Sequence, residues 1–246
     1  MSYPDSIISL VPSLTELLID LGLGDRISGR TRFCIHPKEK VQNVPIVGGT
    51  KNPNLDKIFD IKPDLVITNR EENRREDVEE LSVSLDVMVT DINTIEDALL
   101  AIYDIGERCG AADEAERMIN KIRAEMDSVP DEPQQSVAYL IWREPWMTVG
   151  GDTYIHSVLT HWNLKNVYGD QNRYPTISLK DLQAKSPDLI LLSSEPFPFK
   201  EKHREEIETV LPNTRVLMVD GEWFSWYGSR MITAFRRINK FRKAIS

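Results

Sequence analysis

The segment Leu55–Glu71 is echoed without a gap by Leu179–Glu195. The shared positions are Leu55 and Leu179, Ile58 and Leu182, Pro63 and Pro187, Asp64 and Asp188, Leu65 and Leu189, and Glu71 and Glu195. Each copy runs a short helical pattern into Pro-Asp, then an apolar run of strand character, then a polar turn ending in glutamate. Pro-Asp ahead of an apolar run marks a chain reversal into a buried strand. One α/β unit used twice predicts two lobes, with both strand ends facing one place. Ligands of parallel α/β sheets bind outside the carboxyl ends of the strands, so two such ends facing each other would form a cleft.

The chain has 246 residues, enough for one large domain or two small ones, and the echo favours two. Its formal charge of −9 argues against sequence-independent nucleic-acid binding, which needs a basic face to displace counterions. The same charge disfavours attachment to anionic membranes. No apolar run approaches the roughly 20 residues of a membrane span. The opening Met1-Ser-Tyr-Pro-Asp-Ser6 leads at once into strand-like residues, without a basic region or cleavage site. That reads as a cytoplasmic protein, or as one whose leader lies outside this sequence. The two cysteines, Cys34 and Cys109, read as free thiols.

Strand and helix alternate in both halves, which predicts parallel sheets flanked by helices. The boundaries expected are an N-terminal α/β lobe over 1–92, a helical linker over 93–130 and a C-terminal α/β lobe over 131–246. The first lobe opens with an apolar strand at Ile7–Val11, and Ser13-Leu-Thr-Glu16 reads as a capping box for the helix that follows. Val44–Val47 reads as a brief strand closing on Gly48-Gly49-Thr50. From Thr94 to Ser128 the pattern is helical, interrupted at Gly110. The part after Gly110 would span roughly 25 Å, a stiff link that resists large lobe motion. Val87–Asp91 in the first half is matched by Val216–Asp220 in the second.

Four of the five tryptophans follow second-lobe strands: Trp142 and Trp146 after one, Trp223 and Trp226 after another, the last pair with Phe224, Tyr227 and Arg230. Mixed with Gly, Pro, Ser and charge, these aromatics read as the lining of a cleft for a bulky, partly apolar, anionic ligand. The facing candidates in the first lobe are Pro12 and Ser13, Arg32 and Phe33, Thr50, and Asn69 and Arg70. No dinucleotide fingerprint, P-loop, HExxH, CxxC or GxSxG occurs, so no catalytic set assembles from the sequence and no metal cage is visible. Cys34-Ile-His36 supplies at most two ligands and reads as loop. Glu71, Glu72 and Glu195 sit at equivalent turns and could engage two symmetry-related basic sites on a dimeric partner, steering docking more than adding affinity.

Together, Ile8–Leu18, Val47–Thr50, Lys62–Ile67, the linking helix and Asp220–Arg230 resemble the helical-backbone (class III) substrate-binding proteins of ABC importers for vitamin B12 and iron–siderophore complexes. The resemblance covers nearly the whole chain. It implies two Rossmann-like lobes with parallel sheets joined by a long helical linker, a ligand in the cleft between them, and a monomer that is not an enzyme. It also implies one surface glutamate per lobe meeting arginines of an ABC permease dimer. Those roles fall on Glu71 or Glu72 and on Glu195, with Glu76 a rival for the first. It places the protein in the periplasm or at the cell surface. Where B12 binders resemble Ile-Ala-Trp-Arg this chain has Ile67-Thr-Asn-Arg70, so a first-lobe stacking Trp is absent. Cobalamin or a related corrinoid is the leading ligand and a ferric chelate, siderophore or haem, the second. The competing reading is a cytoplasmic corrinoid carrier, or an enzyme using Cys34.

Overall fold

A computed structural model describes residues 3–245. The chain divides into two compact units. The first holds the residues up to Ile92, then Glu96–Arg123 and the short return Tyr227–Met231; the second holds Asn93–Ile95, Ala124–Trp226 and the residues from Ile232 onward.

In the first unit the elements are β1 (Ile7–Ser9), α1 (Pro12–Asp20), β2 (Ile27–Arg30), α2 (Lys38–Val41), α3 (Leu55–Ile61), β3 (Leu65–Asn69), α4 (Arg75–Leu81) and β4 (Val87–Thr90). These are followed by α5 (Ile95–Cys109) and α6 (Ala112–Met126). The sheet runs β2-β1-β3-β4 and every pairing is parallel. β3 is buried along its whole length, as a strand covered by helices on both faces must be. Ile8, Leu10, Val47, Ile58, Val66 and Leu81 form one core beneath it. Val44–Val47 forms no strand of its own; Ile46 makes only an isolated parallel bridge to Arg30. The helical stretch breaks at Gly110, whose φ of +75° favours glycine, and the boundary between units falls inside α6.

The second unit contains β5 (Gln135–Trp142), β6 (Trp146–Thr148), α7 (Tyr154–His161), β7 (Leu164–Asn166), β8 (Thr176–Ile177), α8 (Leu179–Lys185) and β9 (Leu189–Ser193). After them come α9 (Glu201–Val210), β10 (Arg215–Val219), α10 (Glu222–Ser225) and α11 (Met231–Ile245). β10, β9, β5 and β7 are parallel, but β6 and β8 add an antiparallel edge that alternation alone does not predict. The fold is therefore two α/β units, one sheet wholly parallel and the other mixed.

The sequence echo is a structural repeat. α3 and α8 each have seven residues, β3 and β9 each have five. Asn54 and Ser178 cap the two helices through Lys57 N and Asp181 N, and Lys62 and Ser186 end them in the left-handed conformation just before the proline. The paired aspartates do the same work in both units. Asp64 Oδ2 accepts from the backbone N–H groups of Asp5 and Ser6 at 2.9 Å, beside the start of β1. Asp188 Oδ2 accepts from Ser136 N at 2.7 Å and from Ser136 Oγ at 2.6 Å at the start of β5. Each Pro-Asp thus turns its own chain and pins the neighbouring parallel strand in register.

These bonds to Ser136 hold the Asp188 carboxyl below its ordinary pKa. A depressed folded-state value means that the stabilisation is present above the unfolded value and is lost as pH falls through the folded one. Asp188→Ala should cost about 1 kcal/mol at neutral pH, held to the low end by solvent exposure, and that cost should shrink on acidification below about pH 4. Urea melts of both proteins from pH 7 to pH 3 check this; a cost independent of pH would contradict it.

The expected capping box is corrected. α1 begins two residues earlier, with Pro12 at its first position and Val11 as the cap, which makes no side-chain bond. Pro fits there because its missing N–H would have no helical partner anyway. Glu16 turns instead to Arg230, whose Nε and Nη2 each lie 2.8 Å from its carboxylate oxygens.

Candidate functional site

A parallel sheet delivers all its carboxyl ends to one edge. In the first unit that edge carries Pro12 and Ser13 after β1, Arg32 and Phe33 after β2, and Asn69 and Arg70 after β3. Thr50 follows the bridge at Ile46 onto the same edge. Phe33 is 53% exposed, with the Arg32 guanidinium 5.8 Å from its ring centre. Arg70 is exposed and pairs with Asp91.

Asn69 is a correction. It is 1% exposed, its Oδ1 accepts from the N–H groups of Glu71 and Glu72, and its Nδ2 donates to Thr90 Oγ1. It builds the turn rather than lining a surface. Ser13 and Thr50 are also buried, while Arg230 is engaged bidentately by Glu16 within this unit.

In the second unit the segments that follow β5 and β9 bring Trp142 and Trp146, singled out in the sequence, together with Phe197 and Phe199. Trp142 lies edge-on to Phe197 at 5.6 Å, Phe197 meets Phe199 at 4.9 Å, and Trp146 stacks on Phe199 at 6.0 Å with an 8° interplanar angle. His203 packs against both phenylalanines. Arg143 reaches over Trp146 and pairs with Glu206. Trp142 remains 39% exposed at the tip of this wall. Phe197 and Phe199 escaped the sequence reading because their Pro-rich loop, Glu195–Lys200, has no periodicity. The signal was there in the alternation of aromatic and proline directly after a buried strand.

The aromatic tract after β10 splits. Trp223 and Trp226 are partly exposed, with Arg237 over the Trp223 ring at 5.6 Å. Phe224 is a correction: it is fully buried, 5.3 Å from the Tyr139 ring, and anchors the turn from below. Tyr227 is buried as well.

The glutamates diverge. Glu71 and Glu195 occupy equivalent turns, for Asn69 Oδ1 accepts from Glu71 N at 2.9 Å and Ser193 Oγ accepts from Glu195 N at 3.3 Å. Yet the Glu195 side chain bends inward, where Oε1 accepts from Ser225 Oγ at 2.7 Å and from Trp226 Nε1 at 3.0 Å. Burial raises its pKa, aided by the nearby Glu222 and Asp220 charges and opposed by the two hydrogen bonds. Glu76, in the first turn of α4, is the most exposed of the acids considered for docking.

Cys34 is fully buried, its sulfur 3.0 Å from Thr15 Oγ1 and 3.2 Å from Thr31 Oγ1, and burial pushes its thiol up. A thiolate is disfavoured there, which removes the basis for a Cys34 nucleophile. Cys109 is buried too, pushed up to about 11 by desolvation. Among the described residues no group of three or more His, Cys, Asp or Glu is placed to hold a metal ion. A cavity of about 460 Å³ in the second unit, lined by His156, Asn166, Asp170 and Lys185 among others, shares no residue with the aromatic wall.

Two α/β units with aromatic side chains at a strand-end edge define a binding protein. The chain belongs to the periplasmic binding protein family, whose model matches residues 7–216. It is a class III substrate-binding protein of the ABC-importer type, and the family is one of binding proteins, not enzymes. It is 27% identical over 247 residues to the uncharacterized ABC transporter substrate-binding lipoprotein YvrC of Bacillus subtilis, covering 93% of this chain and 77% of that protein. The periplasmic vitamin B12 binding protein BtuF of Vibrio cholerae superposes with a TM-score of 0.84 at 18% identity, over 98% of this chain and 97% of that one. The periplasmic haem-binding protein RhuT of Roseiflexus sp. RS-1 superposes with the same TM-score and identity, over 98% and 99%. These two likenesses establish the fold.

Proposed function

We propose that this protein captures cobalamin or a related corrinoid and hands it to an ABC permease dimer. The observation that carries the reading is the aromatic wall of the second unit, Trp142–Phe197–Phe199–Trp146. Such a surface suits a large ligand with apolar faces and a polar periphery. The first unit supplies Phe33, Arg32 and Arg70, a second aromatic with cations for acidic substituents. Export through a leader or a lipid anchor fits the relatives that are periplasmic proteins or lipoproteins. Permease docking falls on Glu71, Glu72 or Glu76 in the first unit. Glu195 occupies the equivalent turn of the second, with its carboxylate already committed to Ser225 and Trp226.

A ferric chelate is the second reading, favoured by an equally good superposition on a haem-binding protein. Titrating the protein with cobalamin, cobinamide, haemin and a ferric siderophore while following Trp fluorescence tests both. Saturable quenching by the corrinoids at micromolar concentration is the expected result. Quenching by haemin or the siderophore alone selects the second reading, and no quenching by any of the four rejects both.

A further inference from the structure

The four-residue helix α10 and the residue that ends it carry two partly exposed tryptophans, Trp223 and Trp226, and the helix is far too short to be stable by itself. Its geometry must come from its tethers, and most of them lead to the turn after β9. Gly221 N donates to Ser194 Oγ at 2.9 Å. A Cβ on Gly221 would lie 2.4 Å from Ser193 Oγ and 2.6 Å from Glu195 Cγ, so the two turns touch backbone against side chain. Ser193 Oγ in turn receives the Tyr139 hydroxyl at 3.1 Å and donates to Glu195 O at 2.6 Å. Glu195 closes the set, for one carboxylate oxygen takes both the Ser225 hydroxyl and the Trp226 indole N–H. This carboxylate is held close to Asp220 and Glu222, an arrangement that costs free energy and is offset by those two bonds.

We propose that Glu195 is a positioning residue: its carboxylate clamps the turn bearing Trp223 and Trp226, and so fixes the orientation of the indoles that meet the ligand. The inference rests on the reading of this edge as the binding face. It makes Glu195 act through Trp226 and not through a permease arginine. The two roles separate on one substitution, because Glu195→Gln keeps an acceptor oxygen for Ser225 and Trp226 but deletes the charge that a docking contact would use.

The test compares the wild type with Glu195→Gln and Glu195→Ala in two measurements. The first is the Trp226 indole N–H resonance in ¹⁵N-labelled protein, assigned by its loss in Trp226→Phe. The second is the affinity for cobinamide, read by Trp fluorescence. Glu195→Ala should shift the Trp226 resonance and speed its solvent exchange, and should weaken cobinamide binding about tenfold, the scale of one charge-assisted hydrogen bond. Glu195→Gln should keep the resonance protected and bind within about twofold of wild type. An unchanged Trp226 resonance in Glu195→Ala overturns the proposal, as does a Glu195→Gln protein as impaired as Glu195→Ala. If the wild type binds no cobinamide, the ligand reading fails, while the indole comparison still decides whether the clamp exists.

Discussion

Trp162→Ala should lower the unfolding free energy of the protein by about 3–5 kcal/mol, the largest effect of any single tryptophan. Trp162 is the one tryptophan outside the strand-end tracts and is fully buried. Its ring lies 4.6 Å from that of Phe235 and 4.7 Å from that of His161. Its indole donates to Asn239 Oδ1 at 2.6 Å, and its carbonyl accepts from the buried Arg242. Truncation leaves a large cavity and orphans the Asn239 oxygen at once, two costs that add. Trp162→Phe, which refills most of the volume but not the hydrogen bond, should recover more than half of the loss. Equilibrium urea unfolding followed by far-UV circular dichroism checks both variants. A cost below about 1 kcal/mol for the alanine variant would mean that this site collapses without strain.

Trp142→Ala should do the reverse, leaving stability within about 0.5 kcal/mol of wild type while removing much of the ligand affinity. The Trp142 side chain is 39% exposed and touches Phe197 from the rim, so its loss empties no core. Covering about 100 Å² of indole face with ligand is worth about 2.5 kcal/mol, near a seventyfold change in dissociation constant. The expectation is a drop of at least tenfold in cobinamide affinity, with unfolding unchanged. Fluorescence titration and urea melts on the same preparation measure the two quantities. Wild-type affinity in Trp142→Ala would take this face out of the ligand site.

The contrast between these tryptophans shows what the sequence made legible. The echo around Pro63-Asp64 and Pro187-Asp188 carried the architecture, because spacing, helix cap and strand length are all local properties of the chain. Trp142 and Trp146 could be told from core aromatics by their Gly, Pro and charged neighbours. Phe224 could not: it shares its tract with Trp223 and Trp226, and only the placement of α10 over Tyr139 decides which ring points inward. Asn69 looked like a ligand contact for the same reason, since a polar residue at a strand end serves a turn or a site equally well. The inward bend of Glu195 depends on Ser225 and Trp226, thirty and thirty-one positions away, a pairing that no local pattern encodes. The antiparallel edge of the second sheet was missed because β6 and β8, at three and two residues, are too short to show a period.

The bond between Glu16 and Arg230 joins residues 214 positions apart, both within the first unit. Every residue between α1 and Arg230 is synthesised after that helix and before Arg230 emerges. Until then the surface of α1 that receives Gly228, beside Ser13 and Leu17, has nothing to cover it. The first unit thus stays incomplete until most of the second has been made, and a nascent chain stalled short of Tyr227 would present an open apolar seam to whatever chaperone or protease meets it.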